Sequence, residues 1–291
     1  MRKKVIIFGA QGALGKQLDV RARSDYDVLT WHKGDIDITD EDLVKKKVAA
    51  EMPDIIINAA AYNAVDRCEQ DEEEKHQAEL INGAAVGFLA QAALAAGALF
   101  VHFSTDYVFS GDASEPYQEN SEPAPLNVYG QSKLRGEKEI IKLSGRGLQW
   151  RLIRTARLFG PPGEGEGAKE NFFLALLKLS RRQPEIKVID REEIGSFTYT
   201  VDLAAAVFDL LQSGQGAGIY HLANSGQASW FEAAVHFFRS IGSRVAVLPI
   251  RSADYPRPAR RPLFSVLANT KLPPVRDWQT ALDEYISTLK E

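Results

Sequence analysis

The chain is short of cysteine, of excess positive charge and of long apolar runs, and each shortage removes a class of function. Its 291 residues hold one cysteine, Cys68, so no intrachain disulfide and no cysteine-ligated metal cluster can form. Reactive thiols need an electropositive setting; Cys68, in VDRCEQD near an expected helix start, reads as incidental. The formal net charge of −4 argues against a large basic footprint on nucleic acid or on an anionic membrane. No window approaches the roughly 18 apolar residues of a spanning helix. The basic start MRKK leads only into VIIF, too short for the apolar core of a secretory signal. No His, Asp and Glu spacing resembles a zinc motif, so no catalytic metal is expected. These absences lead to the expectation of a cytoplasmic protein without nucleic-acid or membrane partners.

What is present is a strand–helix alternation with enough apolar residues, 45% of the chain, for a sizeable core. KVIIFGA, YDVLTW, DIIINAAA, LFVHFSTD and LQWRLIRTARLFG read as strands. ALGKQLDVRARS, TDEDLVKKKVAAEM with Thr39 as N-cap, the long HQAELINGAAVGFLAQAALAAGA, and SKLRGEKEIIKLSG closed by Gly145 read as helices between them. The fully apolar strands suit a parallel sheet buried on both faces. The alternation predicts an α/β fold, a doubly wound parallel sheet of the Rossmann type, with a smaller C-terminal substrate-binding lobe. The predicted division is 1–158 for the nucleotide-binding domain, with 187–223 returning to it, and 159–186 plus 224–291 for the lobe. IKVID and GIYHLAN are the strands assigned to that return. The Pro/Gly/Glu segment near 162–170 reads as a mobile surface loop, and His102 and His221, inside apolar strands, as satisfied core histidines.

FGAQGALG places Gly9, Gly12 and Gly15 between the first strand and the first helix. The first glycine permits a sharp turn, the second lets backbone approach a diphosphate, and the third lets helix and strand close together. The helix N-terminus adds a positive dipole end. The second strand ends LTWHKGDID without an acid at its tip; Lys33 stands there, which tilts the cofactor toward NADPH and leaves NADH open. Asp37 and Ile38 follow, where a loop could cover an adenine.

In LNVYGQSKLRGEKE, Tyr129 and Lys133 share one helix face. A phenol exchanges protons poorly at neutral pH, and an ammonium one turn away is expected to stabilise its phenolate. Such a tyrosine can give a proton to an alkoxide while a nicotinamide delivers hydride to the same carbon. HFSTDYVF ends a strand on the sheet edge where open α/β sheets bind ligands, and Ser104 or Thr105 can hold the carbonyl oxygen there.

These stretches, with NAAAYNAVD, STDYVFSG, PYQENSEPAPLNVYGQSKLRGE and RRPLFSVLANTKL, resemble the extended short-chain dehydrogenase/reductase family, and within it the dTDP-4-dehydrorhamnose reductase group. The resemblance covers nearly the whole chain. It implies a catalytic set of Thr105, Tyr129 and Lys133, with Tyr129 as general acid and Lys133 also binding the cofactor ribose. It implies a cofactor site of Gly9, Gln11, Gly12, Ala13, Leu14, Gly15, Lys33, Asp37, Ile38, Ala59, Ala60, Ala61 and Ser104, shared with Tyr129 and Lys133. The sugar-nucleotide would meet Tyr62, Val65, Thr105, Tyr107, Arg157 and Asn171, with Arg261 facing a diphosphate from the basic RPARRP segment. The implied reaction is NADPH-dependent reduction of the C4 ketone of a nucleotide-linked 4-keto-6-deoxysugar, by a protein for which the resemblance also allows a homodimer.

The substrate side departs from the pattern. Arg157 stands where the group carries tryptophan, the loop PPGEGEGAKENF is longer than usual, and DREEIGSFT carries two added acids and Phe197 for a proline. Two other readings stay open on sequence. An epimerase or dehydratase on the same scaffold would regenerate its cofactor, and Asp106 beside Thr105 suits a dehydratase. A binding module resembling the regulatory subunit of methionine adenosyltransferase would hold NADP without turnover.

Overall fold

The computed structural model describes residues 2–164, 170–190 and 192–289. Five strands, β1 Lys4–Phe8, β2 Asp27–Trp31, β3 Ile55–Asn58, β4 Leu99–Thr105 and β5 Trp150–Thr155, join Gly218–His221 in one sheet. The strand order is Gly218–His221, β5, β4, β3, β1, β2, and every pairing is parallel. Side chains alternate faces along a strand, so β1 sends Val5 and Ile7 to one side and Ile6 and Phe8 to the other, all four fully buried. Helices α1 Ala13–Ala22 and, later in the chain, α8 Thr200–Gln212 cover the Val5 face. Helices α2 Glu41–Glu51, α5 Ala85–Ala96 and α6 Val128–Ser144 cover the Ile6 face. This is the doubly wound α/β architecture. Its strand order reverses between β1 and β3, which opens a crevice at their carboxyl ends.

The remainder forms a smaller lobe. Helices α7 Phe172–Ser180, α9 Trp230–Ser240 and α10 Trp278–Thr288 gather around an aromatic core that includes Phe159, Phe173, Phe197, Phe237 and Tyr285. Glu185–Ile189, expected to return to the large sheet, pairs in parallel with Ala246–Ile250 in this lobe. Among the described residues of 187–223, α8 and Gly218–His221 make the return. The partner strand carries Pro249, which lacks a ladder donor and hides it from pattern reading.

Two helices differ from their expected form. The N-cap of α2 is Asp40, whose carboxylate accepts from Leu43 N at 2.9 Å, while the Thr39 hydroxyl donates to Asp37. The long alanine-rich helix follows the short α3, Arg67–Gln70, and consists of α4 Glu72–Glu79, a π-helical turn Leu80–Ala84, and α5. That continuous stretch, Glu72–Ala96, is long and apolar enough by length and composition to cross a membrane, against the expectation from apolar runs. In this fold 56% of its most apolar window is buried.

Candidate active site

A cleft of about 850 Å³ runs along the carboxyl edge, from the turn after β1, past Ala59, Ala60 and Ala61 after β3, to Thr105 and Tyr129 and on to the lobe. Gly9 has φ +75°, and a Cβ on it would come within 2.5 Å of Ala60 N. A Cβ on Gly15 would come within 2.2 Å of Gly9 O, so the protein's own backbone requires both glycines. At Gly12 a Cβ would approach only Gly9 O, at 3.3 Å, and would otherwise project into open space. Gly12 is the N-cap of α1 and brings no side chain to the first-turn amides, which suits a diphosphate, but Gly163 lies against the same turn, where a Cβ on it would come within 2.9 Å of Ala13 N. Gln11, Ala13 and Leu14 line the same turn.

At the adenine-sized end the cleft is lined by Trp31, His32, Lys33, Asp37 and Ile38. Asp35 is turned back onto its own loop, where it accepts from His32 N at 2.9 Å. The Asp37 carboxylate accepts from Thr39 N at 2.9 Å and from its hydroxyl at 2.7 Å, which holds it below the usual carboxylate range. Lys33 stands exposed at the rim.

Helix α6 starts at Val128 because Asn127 caps it, accepting from Gly130 N at 2.8 Å. Its first turn presses on the strand end: a Cβ on Gly130 would sit 2.2 Å from Tyr107 O. Tyr129 and Lys133 both face the cleft. Burial pushes the Tyr129 phenol well above its usual range, against a hydrogen bond with the Thr105 hydroxyl that lowers it. The expected depression by Lys133 is not found: burial dominates, and what opposes it comes from Thr105. Lys133 is 2% exposed and donates to Phe103 O at 2.5 Å; burial lowers its ammonium to about 8. The Thr105 hydroxyl donates to Asp106 Oδ1 at 3.0 Å and accepts from Tyr107 N at 3.2 Å. Burial raises the Asp106 carboxyl, and it pushes the Tyr107 phenol up to about 12. The Tyr107 ring stands edge-on to Tyr129, with centroids 5.9 Å apart. Ser104 also lines the cleft, and its buried hydroxyl has no hydrogen-bond partner among the described residues.

The substrate side differs more from expectation. Val65, Tyr107, Arg157 and Asn171 line the cleft; Tyr62 and Arg261 do not. Asn82 holds the Tyr62 backbone from both sides, accepting from its N–H at 2.9 Å and donating to its carbonyl at 2.8 Å. Arg261 is paired with Asp66 at 2.7 Å and lines a separate depression of about 490 Å³ with Arg257 and Arg260. Asn171 reaches the cleft, but its side chain caps α7 and donates to Gly160 O and to the Tyr285 hydroxyl at 2.8 and 2.9 Å. The Arg157 guanidinium donates to the carbonyls of Ala228 and Glu193, each at 3.0 Å, and lies over the rings of Trp230 and Phe197.

Sequence reasoning missed Trp230, a cleft residue whose only signal was its position after Ser229 at a helix start. Glu164, expected to lie in a mobile surface loop, instead bonds the glycine turn: its N–H donates to Gln11 O at 2.8 Å and its carboxylate meets Lys16 at 2.5 Å. Residues 165–169 of the Gly/Glu loop, and Arg191, lie outside the described residues. His102 and His221 stay clear of the cleft. His102 Nδ1 meets Asn58, and His221 Nδ1 donates to the carbonyls of Tyr117 and Ala268; the second ring nitrogen of each has no partner among the described residues.

The chain is similar to the spore coat polysaccharide biosynthesis protein SpsK of Bacillus subtilis, with 36% identity over 97% of this chain and 96% of the relative. A crystal structure of a dTDP-4-dehydrorhamnose reductase from Clostridium acetobutylicum superposes with a TM-score of 0.91 at 36% identity, covering 99% of this chain and 100% of the other. The dTDP-4-dehydrorhamnose reductase of Bacillus anthracis, solved in complex with NADP, gives 0.91 at 34% identity with the same coverage. The model of the RmlD substrate binding domain family matches residues 3–291, and the chain belongs to that family.

Proposed function

We propose that the protein is an NADPH-dependent reductase of the C4 ketone of a nucleotide-linked 4-keto-6-deoxysugar, and that it converts dTDP-4-dehydro-L-rhamnose to dTDP-L-rhamnose. The observation that carries this reading is the placement of Thr105, Tyr129 and Lys133 in one cleft with the glycine turn of Gly9, Gly12 and Gly15. The cradle of Gly9, Gly12 and Gly15, the alanines 59 to 61 and the Lys33 rim would hold the dinucleotide, which when bound supplies hydride. Thr105 would orient the ketone oxygen, and Tyr129 would give its proton to the oxygen as the carbon is reduced, leaving a secondary alcohol. Lys133, charged below about pH 8, would hold the cofactor ribose and offset the negative charge left on the phenolate after the proton leaves.

The test is an absorbance assay for net NADPH oxidation with the keto-sugar nucleotide, on the wild type and on Tyr129→Phe. The wild type is expected to consume one NADPH per ketone. The variant is expected to bind NADPH normally and to lose roughly 10²–10⁴-fold in rate, the range for removing a general acid. Wild-type turnover in the variant would remove Tyr129 from the chemistry. Conversion of the sugar without net NADPH consumption would favour an epimerase or dehydratase.

A further inference from the structure

Trp230 opens α9 on the lobe side of the cleft, and its setting is over-determined. The helix start is locked by a capping box: Ser229 Oγ accepts from Glu232 N at 3.1 Å, and the Glu232 carboxylate accepts from Ser229 N at 2.9 Å. Phe172 lies 4.7 Å from the indole, centroid to centroid, and Phe197 meets it edge-on at 5.2 Å. The Arg157 guanidinium carbon sits 4.4 Å from the ring centroid, a cation over an aromatic face.

Arg157 is itself held in an unusual way. Its backbone is left-handed, with φ +40°. A non-glycine residue keeps that conformation only where its surroundings enforce it, and such strain concentrates at functional sites. The guanidinium is tied to the Ala228 and Glu193 carbonyls. Gly195 is pressed so close that a Cβ there would come within 2.8 Å of it. An arginine bonded to two carbonyls and stacked between two rings is poorly placed to take a phosphate. It is well placed to hold Trp230 still. The indole is only partly buried, so what the three neighbours leave uncovered belongs to the cleft wall.

A rigid indole in a ligand cleft suits a ligand surface of C–H groups, as a 6-deoxyhexose ring and its methyl provide, and it excludes water from that surface. We infer that Trp230 is the wall against which the sugar ring of the substrate lies, and that Arg157 is a positioning residue acting through Trp230 without gripping the diphosphate. The inference rests on the nucleotide-sugar reading above and adds to it which group of the substrate is read, and by what.

Calorimetric binding to the full chain with NADP present tests it, with dTDP-L-rhamnose as one ligand and dTDP, which lacks the sugar, as the other. Trp230→Ala is expected to weaken dTDP-L-rhamnose roughly 10-fold and dTDP less than 2-fold, the loss of one aromatic contact. Trp230→Phe, the variant that keeps a ring should the alanine protein fail to fold, is expected to fall between. Arg157→Leu is expected to show the same sugar-selective loss. Added to Trp230→Ala it should cause no further loss, because residues acting through one another are not additive. Equal weakening of both ligands, or of neither, overturns the sugar wall; additive losses overturn the indirect role of Arg157. A wild type that reduces the keto-sugar while Trp230→Ala binds both ligands normally sinks this inference and leaves the reductase reading standing. A wild type without turnover sinks both.

Discussion

Lys133 shows how burial sets the working range of a single residue. Its ammonium is lowered from 10.5 to about 8 by burial, with the Glu137 charge opposing the shift. A base with a depressed pKa is charged below the folded value and neutral above it. If that charge holds the cofactor ribose, NADPH should bind free protein progressively less tightly as pH climbs through about 8. Folding stability should move the other way between about 8 and 10.5, because there the unfolded chain keeps a proton that the folded one has released. Fluorescence titrations with NADPH across that range check the first statement, and affinity constant to pH 10 would remove Lys133 from cofactor binding. The Tyr129 and Lys133 pair was legible because helical periodicity puts residues four apart on one face. The direction of the tyrosine shift was not, because it depends on how deeply neighbouring elements bury the ring. The same gap hid the bond of Asn171 to Gly160, the pairing of Arg261 with Asp66 and the hold of Asn82 on Tyr62, each between residues 11 or more apart.

Helix α6, which carries Tyr129 and Lys133, packs on the π-helical turn before α5. Asn82 in that turn bonds both backbone groups of Tyr62, directly after the cleft-lining alanines, and donates to Ser132 Oγ on α6 at 3.0 Å. Across the same contact, a Cβ on Gly136 would come within 2.2 Å of Asn82 O. Asn82→Ala strands two backbone groups and is expected to cost about 1–3 kcal/mol of stability. It should also raise the KM for NADPH, since the 59–61 wall loses its tether. Gly136→Ala should destabilise by about 1–3 kcal/mol through overpacking. Thermal melts and NADPH titrations of both variants measure this, and unchanged melting for Asn82→Ala would show that the turn does not brace the site. The helix itself was legible from its alanine and leucine spacing. The π turn was not, because one residue too many per turn leaves composition and apolar content unchanged; only the approach of α6 calls for it.

At the scale of the whole molecule, the segment after β5 rests on the glycine turn. Glu164 bonds Gln11 O through its N–H and Lys16 through its carboxylate, so the segment after β5 lies against the glycine loop. An exposed ion pair contributes up to about 1 kcal/mol, so Glu164→Gln should speed NADP release by up to about 5-fold at low salt and by little at high salt, where exposed charges are screened. Stopped-flow release at two ionic strengths measures this, and identical rates in wild type and variant would show that the contact does not restrain the cofactor. The alternation of apolar strands and amphipathic helices, the glycine turn and the Tyr-x-x-x-Lys spacing are local patterns, so the amino-acid order alone determined the sheet, its ligand-binding edge and the kind of chemistry placed there. Which lobe claims Glu185–Ile189, where Arg157 points, that Trp230 reaches the cleft and which charges burial suppresses were decided only by tertiary structure. Each depends on contacts between segments far apart in the chain, and such contacts leave no period or motif in either segment.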